Sequence, residues 1–243
     1  MQMRRKMLRC TEKRMKPVSL LQTTLNTRDL GGHHTLDGRI TAYDRIWRSD
    51  HPLRPGPEDI RLLLEKRITT VIDMREPVHA EEKPNGLMNL AGFRFYSFPV
   101  TEGSKVPESA EAVPGSYLKI ACAPNMENIF RTIAQADSGV IYNCSAGKDR
   151  TGVVTAVLLM HCRVREEEIV EDYMITKECS QKRFEMIRQN FPEVNLNIAI
   201  PRPSYMTDFI RLFRARFGDT ESYFAWLGLP PESQRRLKDK LLS

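Results

Sequence analysis

At 243 residues the chain is long enough for one sizeable domain, and its 41% hydrophobic and 28% charged side chains exclude a disordered, fibrous or low-complexity protein. A formal charge of +6 favours anionic partners without choosing among phosphorylated substrates, nucleic acid and an acidic lipid surface. Five cysteines, odd in number and irregularly spaced, argue against a disulfide framework or a structural zinc site. They point to a reduced, cytoplasmic setting, with export by a route lacking a cleavable signal left open.

Residues 1–19 come first as a basic tail, in which Arg4, Arg5, Lys6, Arg9, Lys13, Arg14 and Lys16 face the single acid Glu12. Such a run reads as a solvated terminus, with peripheral membrane contact as the alternative; nucleic acid is not an expected partner. Its apolar residues are too scattered for a signal peptide, and no later window reaches the ~18 apolar residues of a membrane span. LNTRDLGG at 25–32 marks a turn, and Asp37-Gly38 is a short-range hairpin signal. Pro55-Gly56-Pro57 opens a helix with Glu58 and Asp59 in its first turn and Ile60, Leu63 and Leu64 on one face. ITTVID at 68–73 is a β-branched run of strand length, and FRFYSFPV at 93–100 alternates as a second strand.

Residues 128–136 read as a helix, Val140-Ile141-Tyr142 as a short buried strand, and TGVVTAVLLM from Thr151 as a helix buried nearly all round. Residues 165–189 form one amphipathic helix with Ile169, Val170, Tyr173 and Met174 on one side. The Pro-rich interval 192–203 ends it, and two helices fill 205–217 and 220–242. Strands alternating with helices predict a single α/β domain over 20–243, with a central, largely parallel sheet flanked by helices and the 140–142 strand in its middle. The stretch 177–207 is placed to act as a helical lid.

Between that central strand and the buried helix lies NCSAGKDRTG at 143–152. Five residues separate Cys144 from Arg150, which lets a tight loop turn both toward one centre. Gly147 and Gly152 allow torsions and approaches that a side chain blocks. The loop ends at a helix N-terminus, where unpaired N–H groups favour an anion, so Ser145, Ala146, Gly147, Lys148, Asp149, Arg150 and Thr151 are the expected phosphate-binding residues. The same field favours the thiolate of Cys144, to which Thr151 can donate a hydrogen bond. Arg150 can fork two phosphoryl oxygens. The chemistry predicted is in-line attack by sulfur on phosphorus, then hydrolysis of the phosphocysteine. Neither a metal nor a cofactor is required, because the loop and Arg150 neutralise the transferring group. A nucleotide-binding loop is excluded, since Tyr142 and Asp149 stand where its first Gly and its Ser or Thr belong.

CSAGKDRTG resembles the signature of the protein tyrosine phosphatase superfamily, and in particular of its bacterial tyrosine/serine/threonine phosphatase family. NTRDLGG at 26–32, RSDHP at 48–52, VIDMREPVHAEEKP at 71–84 and SYFAWLGLPPESQRRLKDKLL near the end resemble further blocks of that family. The resemblance spans about residues 20–242. It implies a cysteine-phosphatase fold and dual-specificity phosphomonoester hydrolysis. A phosphoinositide phosphatase of the same mechanism is the alternative, toward which Lys148 and the net charge lean. Where the family carries His before the cysteine, this chain has Asn143.

Expelling the leaving group needs an acid. Asp73 is preferred, because it ends a strand bordering the ligand crevice of an α/β sheet and the resemblance implies a functional Asp there. Its alternative role is an ion pair with Arg75. Asp149, inside the loop, is the second candidate and Glu102 the third. Arg28 and Asp29 are expected as a bracing salt bridge. Two other classes remain: a silent phosphate-binding module, invited only by Asn143, and an arsenate-reducing or sulfur-transfer enzyme needing Cys122 or Cys162 beside the loop. The physiological substrate and the oligomeric state stay open.

Overall fold

The computed structural model describes residues 19–103, 105–192 and 195–242, so the basic tail expected at 1–19 lies, but for Ser19, outside the described residues. The elements run β1 (Arg28–Asp29), β2 (Ile46–Ser49), α1 (Pro57–Glu65), β3 (Ile68–Asp73), α2 (Pro77–Glu82), β4 (Arg94–Ser97), α3 (Val113–Ala121) and α4 (Asn125–Gln135). They continue with β5 (Gly139–Asn143), α5 (Asp149–His161), α6 (Glu166–Cys179), α7 (Gln181–Asn190), α8 (Leu196–Ala199), α9 (Pro203–Phe217), α10 (Thr220–Trp226) and α11 (Pro231–Leu242). Among the described residues no helix is long and apolar enough to cross a membrane.

The strands form one sheet in the order β1-β2-β5-β3-β4. β1 is antiparallel to β2, and the other neighbours are parallel. β5 is therefore central, and its run GVIYN is buried throughout, as a parallel strand covered on both faces requires. Its side chains alternate between two cores. Val140 and Tyr142 join the larger one, built with α3–α6 and α9–α11, while Ile141 joins Leu21, Trp47, Leu63, Val71 and Leu87 on the other face. α5 lies in the larger core with Thr151 through Leu159 all buried, which is why its sequence is apolar on nearly every side.

Three differences from the expected elements have physical causes. The helix read over 165–189 is two, α6 and α7, broken at the buried Ser180, where neither Gly nor Pro signals a stop. The helix read over 220–242 is also two, because Gly228 adopts φ +83° ahead of Pro230-Pro231. In α1 the buried face carries Asp59 and Leu63, and Leu64 is exposed. Asp59 turns inward because it accepts from the backbone N–H groups of Gln22 (2.6 Å) and Thr23 (3.2 Å), fastening the chain's approach to β1. The segment 177–207 holds the end of α6, all of α7 and α8 and the start of α9.

The register brings the strand ends level: Ser49 pairs with Asn143, Asn143 with Asp73, and Asp73 with Ser97. The segments that leave β2, β3 and β5 therefore emerge side by side on one edge, where parallel α/β sheets bind ligands.

Candidate active site

Cys144 follows β5 directly and is 4% exposed. The loop from Cys144 to Lys148 enters α5, whose first turn holds Asp149, Arg150 and Thr151. Gly147 has φ +64°, and a Cβ there would lie 2.7 Å from Asp50 N and 2.8 Å from Ser49 O. No side chain fits between this turn and the end of β2.

Three consecutive carbonyls of the loop are bound from outside. Arg183 Nη1 donates to Ser145 O (3.2 Å), Asn26 Nδ2 to Ala146 O (3.1 Å) and Gly147 O (3.0 Å), and Arg48 Nη2 to Gly147 O (2.8 Å). A trans peptide is planar, so a carbonyl turned outward turns the following N–H inward. The N–H groups of Ala146, Gly147 and Lys148 thus point away from these donors. Among the described residues, no N–H from Ser145 to Arg150 donates to protein. Together with the N-terminus of a 13-residue buried helix, they form an anion cradle.

A buried charge cluster stands behind it. Asp172 of α6 receives Arg28 Nε at 2.7 Å and Arg48 Nη1, and Arg28 Nη1 also holds Asn26 Oδ1 (2.5 Å). Burial alone would raise Asp172, but the two guanidiniums outweigh it and hold the carboxyl below the usual carboxylate range. Burial and the neighbouring Arg48 lower Arg28. Two cations facing one anion leave net positive charge under the loop. Asp29 does not share in this, because adjacent strand residues point to opposite faces. It accepts from Gly31 N (2.8 Å), Asp44 N (2.6 Å) and Trp47 Nε1 (3.0 Å) instead. The expected Arg28–Asp29 brace is thus an Arg28–Asp172 brace.

On the β3 side, Asp73 is 2% exposed and fully engaged. Arg75 Nε lies 3.0 Å from both of its oxygens, Arg75 Nη2 2.7 Å from Oδ2, and Asn85 Nδ2 3.1 Å from Oδ2. Asn85 Nδ2 also donates to Asn143 Oδ1 (3.0 Å). Glu76, one residue beyond Arg75, accepts from Arg150 Nη2 at 2.7 Å.

Asp149 differs from Asp73 in access, although it too lies beside a cation, with Lys148 Nζ 3.4 Å from its Oδ1. Its side chain is 42% exposed, and Tyr117 OH donates to its Oδ1 at 2.7 Å. Tyr117 in turn meets Tyr173 OH at 2.7 Å. Burial, and then the Asp149 carboxylate, push both phenols well above their ordinary range, so they remain neutral donors. A cavity of about 190 Å³ lined by Lys148, Asp149, Val106, Pro107 and Ile198 opens beside this acid. A second, of about 480 Å³, opens beside Ser145, Arg183, Lys83 and His51. Glu102 is half-buried in the turn after β4.

Two expectations need correction. Thr151 makes no hydrogen bond to the sulfur, since its Oγ1 is buried without a partner among the described residues. Thr151 is already in the first turn of α5, past the loop itself. Lys148 is not a free charge at the mouth, because it is buried and gives Nζ to Ala199 O at 2.5 Å. Cys162, considered as a second thiol, caps the far end of α5. At ~1.5 Å per residue that is about 20 Å from the loop, beyond disulfide reach. Burial pushes its thiol up to about 12.

Asn26, Arg48, Glu76, Asn85, Asp172 and Arg183 were not singled out from sequence. Asn26, Arg48 and Glu76 do lie in the blocks NTRDLGG, RSDHP and VIDMREP, so a signal was present for those three.

The sequence model of the tyrosine phosphatase family matches residues 20–243. A Cupriavidus necator protein provisionally named as a tyrosine-protein phosphatase is 25% identical over 225 residues, covering 83% of this chain and 80% of that one. A tyrosine-protein phosphatase of Nostoc commune is 43% identical over 54 residues, 22% of this chain and 18% of its own. Among solved structures, a variant of P. aeruginosa TpbA in complex with pTyr superposes with a TM-score of 0.40 at 14% identity, over 77% of this chain and 90% of that one.

Proposed function

The chain belongs to the tyrosine phosphatase family, and on that premise we propose that it hydrolyses phosphotyrosine, and by extension phosphoserine and phosphothreonine, through a phosphocysteine on Cys144. Cys144 Sγ attacks phosphorus as a thiolate while the bond from phosphorus to the ester oxygen breaks. The N–H groups of the loop and the Arg150 guanidinium take the charge spread over the three equatorial oxygens. Asp149 protonates the departing oxygen. A water then attacks phosphorus and gives its proton to Asp149, the P–S bond breaks, and the thiolate returns with phosphate released.

The observation that carries this reading is the inversion of the loop: its carbonyls are held outward by Asn26, Arg48 and Arg183, and its N–H groups are left to an anion. The choice of Asp149 over Asp73 rests on access. Asp149 is 42% exposed beside a cavity, whereas Asp73 has both oxygens committed to Arg75 and Asn85. The Lys148 amine gives one hydrogen bond to Ala199 O and lies 3.4 Å from Asp149 Oδ1, so its position does not by itself favour the phosphoinositide alternative.

The test is Cys144→Ser assayed on phosphotyrosine peptides, phosphoserine peptides and inositol lipids, with acid-quenched wild type searched by mass spectrometry for phosphate on Cys144. Loss of turnover with retained peptide binding, and a phosphate on Cys144, are expected. Turnover surviving in Cys144→Ser would overturn the mechanism. Release confined to inositol lipids would replace the substrate class.

A further inference from the structure

We propose that Asn85 is a positioning residue for Cys144, relaying the fixed polarity of the buried Asp73–Arg75 ion pair through Asn143 to the main chain that carries the sulfur. The inference rests on the reading of Cys144 as the nucleophile.

Asp73, Arg75, Asn85 and Asn143 are all buried. Arg75 surrounds Asp73 and also holds the carbonyls of Lys83 (2.8 Å) and His79 (3.2 Å), so the segment from Asp73 to Lys83 is folded about one guanidinium. An ionised carboxylate only accepts. The end of Asn85 that faces Asp73 must therefore be its NH₂, and Nδ2 lies 3.1 Å from Oδ2. The other end is fixed independently, because Leu87 N, which can only donate, reaches Asn85 Oδ1 at 3.0 Å. Turning this amide over would put oxygen against a carboxylate and NH₂ against an N–H. Both groups are buried, so that arrangement would cost two hydrogen bonds and set two like dipoles against each other.

The second hydrogen of Asn85 Nδ2 points to Asn143 Oδ1 at 3.0 Å. That leaves the Asn143 NH₂ facing Cys144 O, 3.5 Å away. Met74 N holds the main chain of the same residue, donating to Asn143 O at 2.9 Å. Asn143 is thereby pinned by backbone and side chain immediately before the sulfur. Its orientation is set by a charge two residues removed in the network. The same segment carries Glu76, which grips Arg150 at the other end of the loop. One brace thus references both ends, the sulfur and the guanidinium, to a common frame. An amide before the cysteine makes structural sense here because Asn85 supplies a matching amide opposite it.

The test is a double-mutant cycle on wild type, Asn85→Ala, Asn143→Ala and the double variant. It reads kcat and KM on p-nitrophenyl phosphate and the rate of Cys144 alkylation by iodoacetamide at fixed pH. Each single variant is expected to lower kcat by about tenfold with KM within about twofold, since a small misplacement of the reacting atom acts on the chemical step. Alkylation should slow in parallel. The double variant should be no slower than the worse single, because Asn85 acts through Asn143. A double variant slower by the product of the two effects overturns the proposal. So does an unchanged kcat with only the melting temperature lowered. If Asn85→Ala does not fold, Asn143→Ala, which leaves Asn85 on Asp73 and Leu87 and removes only the relay's next member, carries the test; the same fall in kcat is expected, and an unaltered kcat is again fatal. Cys144→Ser run alongside separates the two readings. Turnover in that variant removes the nucleophile assignment, whereas a dead Cys144→Ser with an additive cycle removes the relay alone.

Discussion

Arg150 Nη2 lies 2.7 Å from Glu76 Oε1, in a pair whose side chains keep 12% and 25% exposure. The guanidinium is therefore held by the segment that Arg75 folds about Asp73, and on the proposed mechanism that contact aims it before phosphate arrives. Removing the aim and removing the fork should differ. Glu76→Ala is expected to raise KM for a phosphotyrosine peptide about fivefold with kcat within about threefold, as lost preorganisation does. Arg150→Lys keeps the charge but not the two parallel donors, and should lower kcat/KM by about a hundredfold or more. Steady-state kinetics decide; equal effects of the two variants would mean that Glu76 does more than aim.

The two aspartates should separate on leaving-group dependence. In Asp149→Asn, turnover of alkyl phosphates should collapse while activated aryl phosphates retain most of theirs, because only a poor leaving group needs the proton. Asp73→Asn should leave that dependence unaltered. It should instead destabilise the fold by about 3–5 kcal/mol, the usual cost of leaving a buried cation without its partner. A series of esters graded in leaving-group basicity, with urea unfolding of both variants, distinguishes them. Steepening in Asp73→Asn alone would return the proton to Asp73.

How far the sequence was legible follows from which information is local. β3 was readable to the residue because ITTVID is β-branched and bounded, and α5 to within two residues at either end because its apolar run has no polar side to confuse. β2 was missed: IWRS is four residues long and carries an arginine, and only its place beside β5 buries Arg48 against Asp172. The cysteine loop was legible since its meaning lies in spacing. Arg183, which holds Ser145 O, and Asp172, which holds Arg48 beneath the loop, come from segments far away in the chain, and no local pattern announces their meeting. Asp73 shows the opposite limit. Strand position made it a natural acid, but Asn85, which closes it off, sits 12 positions later in a stretch with no periodic signal.

Gly147→Ala tests the cradle itself. A Cβ there meets Ser49 C and O at 2.8 Å and Asp50 N at 2.7 Å, and φ +64° disfavours it before any contact. The end of β2 is main chain inside a sheet and cannot move aside. The expected loss is about 1–3 kcal/mol of stability with at least about a tenfold rise in the inhibition constant for inorganic phosphate. Thermal unfolding and product inhibition measure the two. A variant that melts lower but binds phosphate normally would show that Gly147 serves the fold and not the anion site.

Acid should open the site from behind. In the folded chain, burial pushes Asp172 up, but Arg28 and Arg48 prevail and hold it below the usual carboxylate range. The unfolded chain, with an ordinary value of about 3.9, then binds a proton sooner as pH falls. The contribution of Asp172 is therefore complete above about pH 4 and is lost as pH drops toward the folded value. Asp172→Asn lacks that titration and starts lower, by about 3–5 kcal/mol at neutral pH, since two buried guanidiniums lose their counter-charge. Urea midpoints taken from pH 7 down to pH 3 should fall more steeply for wild type than for Asp172→Asn below pH 4, and the gap between the two curves should narrow by about 1 kcal/mol. Because Arg48 also holds Gly147 O at 2.8 Å, phosphate inhibition at pH 7 should weaken in the variant as well. Parallel curves, or full phosphate affinity in Asp172→Asn, would disconnect this charge cluster from the loop it lies beneath.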